Sequence, residues 1–355
     1  MKKTLWKGNE AIAEAAIFAG CRFFAGYPIT PQNEIPEYMS WRMLEAGGSF
    51  VQAESEVSAI NMLYGGAGTG ARCMTSSSSP GISLKQEGIS YITGAELPCV
   101  IVNIVRGGPG LGGIQPAQSD YFQSVKGGGH GDYHMMVLAP NSVQEAVNLT
   151  IEAFDLADYY RNPVMVLGDG MLGQMMEPAE FKPVPPRQLP AKDWAATGNQ
   201  GSRPSNLISS FFMKPEDCEK HNHRLFAKYA AMAENDLRFE EYLTDDAEII
   251  FVAYGLTSRI TKSAVGQLRA QGIKAGLFRP ITLFPYPSAR LNALALSDNV
   301  KCFLTVELSM GQMVEDVRLA VNGVKPVHFY GRTGGMVMDS EEIVAQAKKI
   351  LGGDK

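Results

Sequence analysis

Short runs of apolar residues alternate along this chain with longer segments whose apolar residues return every three or four positions. The runs read as buried strands: Cys21 to Ala25, Cys73 to Thr75, Cys99 to Val105, Pro163 to Leu167, Glu248 to Gly255, Ala275 to Phe278, Phe303 to Val306 and Val327 to Tyr330. The periodic segments read as helices. One is expected from about Glu10, capped by Asn9, with Ala11, Ile12, Ala15, Ala16 and Ala19 on one face and Gly20 as its stop. A second should start at Thr30-Pro31, a cap and a first-position proline, and run through Asn33, Ile35 and Met39. Further helices are expected near Glu56, from Pro80 to about Ala95, from Ser142 to Tyr159, from Cys218 to Tyr242, from about Ser258 and after Gly311. This alternation predicts two doubly wound α/β domains built on parallel sheets. The expected divisions are 1–180, a linker and insert over 181–246, and 247–355. Pro183, Pro185, Pro186 and Pro190 mark the linker, and Asn199-Gln200-Gly201-Ser202 a loop within the insert.

The stretch from Val51 to Arg72 carries two carboxylates at a helix start, followed by very small residues. On a 3.6-residue period Glu56 aligns with Ile60, Leu63 and Ala67, a stripe that should face the core. Glu54 falls instead with Ser58, Asn61, Gly65 and Gly68. One acid is aimed inward and the other is not. First-turn acids also favour a helix dipole without doing chemistry, so spacing alone leaves both readings open.

Composition narrows the class. The 355 residues are 45% hydrophobic and 19% charged, with net charge −5, which argues against a nucleic-acid binder. The basic start has no apolar region behind it, so no signal peptide is expected, and no apolar run approaches a membrane span. Five cysteines are widely spaced without C-x-x-C. Free thiols in a reducing cytoplasm are expected, with no iron–sulfur or zinc ligand set in this chain. His221 and His223 read as a solvated helix face rather than a metal site.

Two short motifs lack the context that would give them meaning. The loop Arg106 to Gly113 contains a formal G-x-G-x-x-G, yet Ile114-Gln115-Pro116 is a poor start for the helix that must receive a pyrophosphate. Gly168-Asp169-Gly170 with Asn199 mimics the metal–diphosphate motif of thiamine enzymes, but a proline-rich linker lies between. Arg106 is the more promising residue. It ends an apolar strand, where a guanidinium can grip a carboxylate in bidentate fashion, though a surface arginine fits as well.

Taken in order, several segments make the chain resemble the 2-oxoacid:ferredoxin oxidoreductases. They are Gly8-Asn9-Glu10-Ala11, Gly26-Tyr27-Pro28-Ile29-Thr30-Pro31, Ser55-Glu56, Ser79-Pro80-Gly81, Arg106-Gly107-Gly108-Pro109, Gln118-Ser119-Asp120 and Gly129-His130-Gly131-Asp132. The subunit it resembles carries the thiamine diphosphate pyrimidine-binding domain, followed by a transketolase-C-terminal-like domain. The resemblance implies that Glu56 bonds to the aminopyrimidine ring and moves a proton there. It also places Pro28 against the pyrimidine and Thr30 and Arg106 at the substrate carboxylate. The reaction implied is oxidative decarboxylation of a 2-oxoacid to an acyl-coenzyme A, with electrons passed to ferredoxin. A diphosphate-binding subunit with Mg²⁺ and a ferredoxin-like iron–sulfur subunit would complete a site lying at an interface.

Gly107 to Pro116 most resembles the branched-chain (2-oxoisovalerate) members, and Leu111, Ile114, Tyr121 and Phe122 offer apolar surface. A 2-oxoglutarate site needs a second cation, for which Lys126 and Arg72 are the nearby candidates. The alternatives are a 2-oxoglutarate:ferredoxin oxidoreductase subunit, a lipoamide-linked 2-oxoacid dehydrogenase subunit, and a non-enzymatic scaffold or nucleotide-binding subunit.

Overall fold

The computed structural model describes residues 3–185, 187–199 and 201–352. Met1, Lys2, Pro186 of the predicted linker and Gln200 of the predicted loop lie outside the described residues. The first half runs β1 (Thr4–Lys7), α1 (Gly8–Phe18), β2 (Phe23–Gly26), α2 (Glu34–Glu45), β3 (Ser49–Gln52), α3 (Glu56–Gly68) and β4 (Cys73–Ser77). It continues with α4 (Pro80–Gly94), β5 (Val100–Val105), α5 (Tyr121–Val125), β6 (Met136–Leu138), α6 (Val143–Tyr160), β7 (Val164–Asp169), α7 (Gly170–Gln174) and β8 (Met176–Ala179). After an irregular stretch come α8 (Pro215–Asn235), β9 (Phe239–Tyr242), β10 (Ile249–Val252), α9 (Gly255–Ala270), β11 (Ala275–Pro280) and β12 (Thr282–Phe284). The chain closes with α10 (Ser288–Ala295), β13 (Cys302–Glu307), α11 (Met313–Val321), β14 (Val327–Gly331) and α12 (Ser340–Gly352).

Two doubly wound sheets result, as the alternation predicted. The first has order β12-β6-β7-β5-β4-β2-β3 and the second β14-β13-β10-β11-β9. All neighbours are parallel except the edge pairs β12–β6 and β11–β9. The strands of parallel sheets are covered on both faces, which is why β5 and β7 are unbroken buried runs. Strand order reverses between β2 and β4 in one sheet and between β10 and β13 in the other. Crevices for ligands open at the carboxyl ends of such strands.

Three local expectations fail for tertiary reasons. Asn9 is not a cap. It is buried inside α1, where Nδ2 donates to Pro31 O at 2.8 Å and to Glu34 Oε2 at 2.7 Å. Thr30 does not start α2, which begins after Asn33. The helix expected to reach Tyr242 stops at Asn235, because Phe239–Tyr242 pairs antiparallel with β11. In the same way β12 leaves the second sheet's neighbourhood to pair with β6, so the two halves share strands as well as core.

Candidate active site

Four segments converge at the carboxyl ends of β2, β4 and β5. Ser55 caps α3, its Oγ accepting from Ser58 N at 3.2 Å, which places Glu56 in the first turn. The helical phase read from the sequence holds. Glu56, Ile60, Leu63 and Ala67 are buried, whereas Glu54 is exposed and accepts from the Ser58 hydroxyl. Glu56 is only 6% exposed, yet no described residue donates to its carboxylate. A Cβ on Gly81 would lie 2.7 Å from Glu56 Oε1 and 2.1 Å from Ser77 Oγ, so only glycine lets α4 approach this closely. The hydroxyls of Ser77 and Ser78 are buried and also lack partners among the described residues.

Arg106 follows β5 and is 6% exposed. Its Nη1 donates to Thr30 O at 2.9 Å and its Nη2 to Leu111 O at 3.1 Å, while its buried Nε has no partner. The guanidinium therefore joins two loops and keeps one donor in reserve. Its backbone is fixed from the other side. Arg106 N donates to Ser79 Oγ at 3.0 Å, and that hydroxyl donates to Asp120 Oδ2 at 2.6 Å. Asn103 Nδ2 donates to the same Asp120 oxygen at 3.0 Å, and Asn103 Oδ1 accepts from Ser79 N at 3.1 Å. These bonds hold Ser79 at φ +35°, a conformation that a non-glycine residue keeps only under such constraint. Burial pushes the Asp120 carboxyl up, opposed by the bonds from Ser79 and Asn103 and by the Arg106 charge.

The turn between β2 and α2 carries Pro28, which is exposed, and Thr30, which is half-buried. Gln32 supports it from below, donating to Tyr27 O at 3.3 Å and accepting from Ser76 Oγ at 2.5 Å. A cavity of about 480 Å³ opens beside Thr30, walled by Pro31, Ile114, Pro116 and Met171 with Glu34 and Gln174 at its polar side. Glu56 does not line this cavity. It lies against Gly81 at the start of α4.

The two formal motifs are structural. Gly107 to Gly113 closes on itself through Gly113 N to Gly107 O at 2.9 Å, and no helix follows until Tyr121. Asp169 caps α7, accepting from Met171 N at 2.9 Å and Leu172 N at 3.0 Å. Burial pushes its carboxyl up to about 6, against those two bonds. Asn199 lies in a separate exposed turn, bonded to Gly201 N at 3.2 Å. His221 accepts from Arg224 and leans on the Phe212 ring. Among the described residues no group of three or more His, Cys, Asp or Glu side chains could hold a metal.

Of the apolar residues expected around a substrate, only Ile114 lines the cavity. Leu111 points to solvent, and Tyr121 is core, its hydroxyl donating to Asp316 Oδ2 at 2.6 Å, with Phe122 packed on the same core. Both cations considered for a second carboxylate have partners in the chain. Arg72 pairs with Asp155 and Asp158, and Lys126 with Asp316. Sequence reasoning missed Asn103, Ser79 and Asp120 as a clamp on Arg106, which no local signal betrays. It also missed Lys85, which does leave a signal: a lysine in phase with Ile82, Ile89 and Ile92 on the buried side of α4.

Residues 14–240 match the family described as pyruvate flavodoxin/ferredoxin oxidoreductase, thiamine diphosphate-binding, and residues 247–343 match the pyruvate:ferredoxin oxidoreductase core domain II. The chain is 52% identical over 352 residues to the ketoisovalerate oxidoreductase subunit VorB of Methanothermobacter thermautotrophicus, covering 99% of both. It is 37% identical to the 2-oxoglutarate synthase subunit KorA of the same organism, over 97% of this chain and 98% of the relative. Its structure superposes with a TM-score of 0.88 on the 2-oxoglutarate:ferredoxin oxidoreductase from Magnetococcus marinus, which carries 2-oxoglutarate, coenzyme A and succinyl-CoA. That match is 26% identical and covers 98% of this chain and 65% of the other. On the strength of both profiles and of relatives aligned from end to end, the chain belongs to the 2-oxoacid:ferredoxin oxidoreductase family.

Proposed function

We propose that this chain is the pyrimidine-binding subunit of a 2-oxoacid:ferredoxin oxidoreductase that decarboxylates 2-oxoisovalerate and related branched 2-oxoacids. Coenzyme A takes the acyl group, and the electrons leave through iron–sulfur clusters of a partner subunit to ferredoxin. In this reading residues 1–180 form the pyrimidine-binding domain, 181–246 the linker and insert, and 247–355 the transketolase-C-terminal-like domain. The work is cytoplasmic, where thiols such as the buried Cys21, Cys73 and Cys99 stay reduced.

One observation carries the reading. Among the described residues the buried Glu56 carboxylate accepts no hydrogen bond, and the Ser77 and Ser78 hydroxyls and Arg106 Nε have no partner either, all at one end of one sheet. A flat aminopyrimidine with ring N–H donors fits a buried free carboxylate beside a glycine that lacks a Cβ. The diphosphate end finds no such reception, because Asp169 is engaged as a helix cap. A partner subunit with Mg²⁺ therefore supplies that half. When bound, thiamine diphosphate provides the electron sink that a 2-oxoacid needs to lose carbon dioxide.

The chain's own contributions follow from its geometry. Glu56 holds a ring nitrogen and moves a proton there. Pro28, exposed at the tip of its turn, presses on the ring. Thr30 and Arg106 grip the substrate carboxylate, with Arg106 Nε as the free donor. The wall of Pro31, Ile114, Pro116 and Met171 suits an aliphatic side chain; among the described residues the cavity lining holds no lysine or arginine, and Arg72 and Lys126, the cations considered for a second carboxylate, are both engaged. The names of the relatives support the same choice, ketoisovalerate at 52% identity against 2-oxoglutarate at 37%.

Competition between the two 2-oxoacids on the reconstituted complex tests this. A preference of about tenfold or more in kcat/KM for 2-oxoisovalerate is expected. The isolated chain should be colourless and inactive. Preference for 2-oxoglutarate would sink the substrate assignment, and an iron–sulfur absorbance band in the isolated chain would sink the split site.

A further inference from the structure

Lys85 is fully buried, a place lysine almost never takes, and among the described residues it forms no ion pair. It lies on the stripe of α4 that also holds Gly81 and Gly88. Those glycines touch Glu56 and Ile60, so this stripe faces α3. Lys85 Nζ donates to Thr75 Oγ1 at 2.6 Å and to Ser76 O at 3.1 Å, at the carboxyl end of β4. Thr75 Oγ1 donates onward to Ala25 O at 2.6 Å, and Ser76 Oγ to Gln32 Oε1 at 2.5 Å. The first route ends on β2, just before the turn that carries Pro28 and Thr30, and the second reaches that turn through Gln32, which donates to Tyr27 O at 3.3 Å.

We propose that Lys85 is a positioning residue for the reaction: its buried ammonium is the counter-charge of Glu56 and pins the strand ends beneath the Pro28–Thr30 turn. The proposal rests on the role given above to Glu56. The oxygens that this ammonium meets on β4 are a hydroxyl and a carbonyl, and Glu56 of α3 is the charge that acts on it. Burial lowers the lysine to about 7, and the Glu56 charge pulls it back up. On this proposal each group should report the other's removal.

The coupling can be read from both sides. Below about pH 7 Lys85 keeps its proton in the folded and unfolded chain alike. Above it the folded chain releases the proton first, while the unfolded chain holds it to about 10.5, so stability rises with pH across that window. In urea unfolding of the full chain, Glu56→Gln should move the onset of that rise down by roughly one pH unit. This arm keeps Lys85 and needs neither cofactor nor turnover.

From the other side, Lys85→Gln keeps a donor for Thr75 and drops the charge, and Lys85→Met drops both. In the reconstituted complex the near-ultraviolet circular dichroism of bound thiamine diphosphate follows protonation of the Glu56–ring pair. Loss of a neighbouring cation favours the protonated pair, so the midpoint should rise by roughly one unit in both variants. Turnover should fall about tenfold, with KM for 2-oxoisovalerate nearly unchanged. An unmoved onset in Glu56→Gln, or an unmoved midpoint in Lys85→Gln, overturns the proposal. A wild-type complex inactive on every 2-oxoacid overturns the assigned function instead and leaves the urea result standing.

Discussion

Glu56 and Glu307 are both buried glutamates beside helix N-termini at the carboxyl end of a parallel sheet, and they have opposite fates. Glu307 ends β13 and is fully buried. It accepts from Ser309 Oγ at 2.9 Å, Gln312 N at 3.1 Å, Met313 N at 3.0 Å and Val314 N at 2.9 Å. Burial pushes its carboxyl up and those bonds oppose the rise. Glu56 is buried too, at 6% exposure, and accepts nothing from the described residues. The crevices around them differ in the same sense. Between the ends of β10 and β13 the side chain of Gln118 is inserted, donating to Tyr254 O at 2.9 Å and accepting from Thr257 Oγ1 at 2.8 Å and Leu308 N at 3.0 Å. At the first sheet's switch point the hydroxyls of Ser77 and Ser78 have no partner. Burial of an acid does not mark chemistry. A buried carboxylate that no described residue satisfies is the better guide, because an unpaired buried charge is costly unless a ligand completes it.

The largest effect should come from exchanging the two acids' fates by mutation. Glu56→Gln should lower turnover of the assembled complex by roughly 10²-fold or more, the scale of a lost acid–base group, with the urea midpoint of the chain at neutral pH little changed. Glu307→Ala should do the reverse. It strands three backbone donors and a hydroxyl, and should cost about 2–4 kcal/mol of folding stability. Turnover per folded molecule should survive. Equal kinetic losses at both sites would erase the distinction. Glu54→Gln belongs with neither, since its side chain is exposed and engaged with Ser58.

Arg106→Ala sharpens the comparison at a second unused group. The guanidinium links Thr30 to the loop through two carbonyls and leaves Nε for a carboxylate. Its loss should cost about 1.5–3 kcal/mol in kcat/KM, equally for every 2-oxoacid, because they share that carboxylate. A variant with altered side-chain preference and intact efficiency would contradict the assignment.

The sequence made the architecture readable because each sheet is parallel and buried, so strands such as Val100–Val105 and Val164–Asp169 stand out as apolar runs. Short edge strands were hidden. Thr282–Phe284 and Phe239–Tyr242 are strands only because β6 and β11 offer them partners, a fact outside their own residues. The inward phase of Glu56 was legible from period alone. The freedom of its carboxylate was not, since that depends on what α4 and β4 fail to offer. Thr30 and Asn9 misled for a related reason. Both look like caps locally, but the packing of α1 against the Thr30-Pro31 turn claims Asn9 for the Pro31 carbonyl and delays α2 until after Asn33.

Asp169 supplies the smallest kinetic effect and the cleanest check on where the diphosphate sits. Its motif invites a metal–diphosphate role, whereas its contacts are those of a buried cap on α7. Asparagine caps a helix as well as aspartate, so Asp169→Asn should leave turnover of the complex within about twofold. Its pH signature has a definite sign. The folded carboxyl sits at about 6, above the ordinary 3.8, so the folded chain binds the extra proton between those values. Stability from this group is complete below about 3.8 and is lost as pH rises through about 6. Urea unfolding between pH 4 and 7 should therefore show a smaller fall with rising pH in Asp169→Asn than in the wild type. A large loss of thiamine diphosphate affinity in that variant would return the acid to the cofactor, and the saturated carboxylates of this chain could no longer be set apart from the open one.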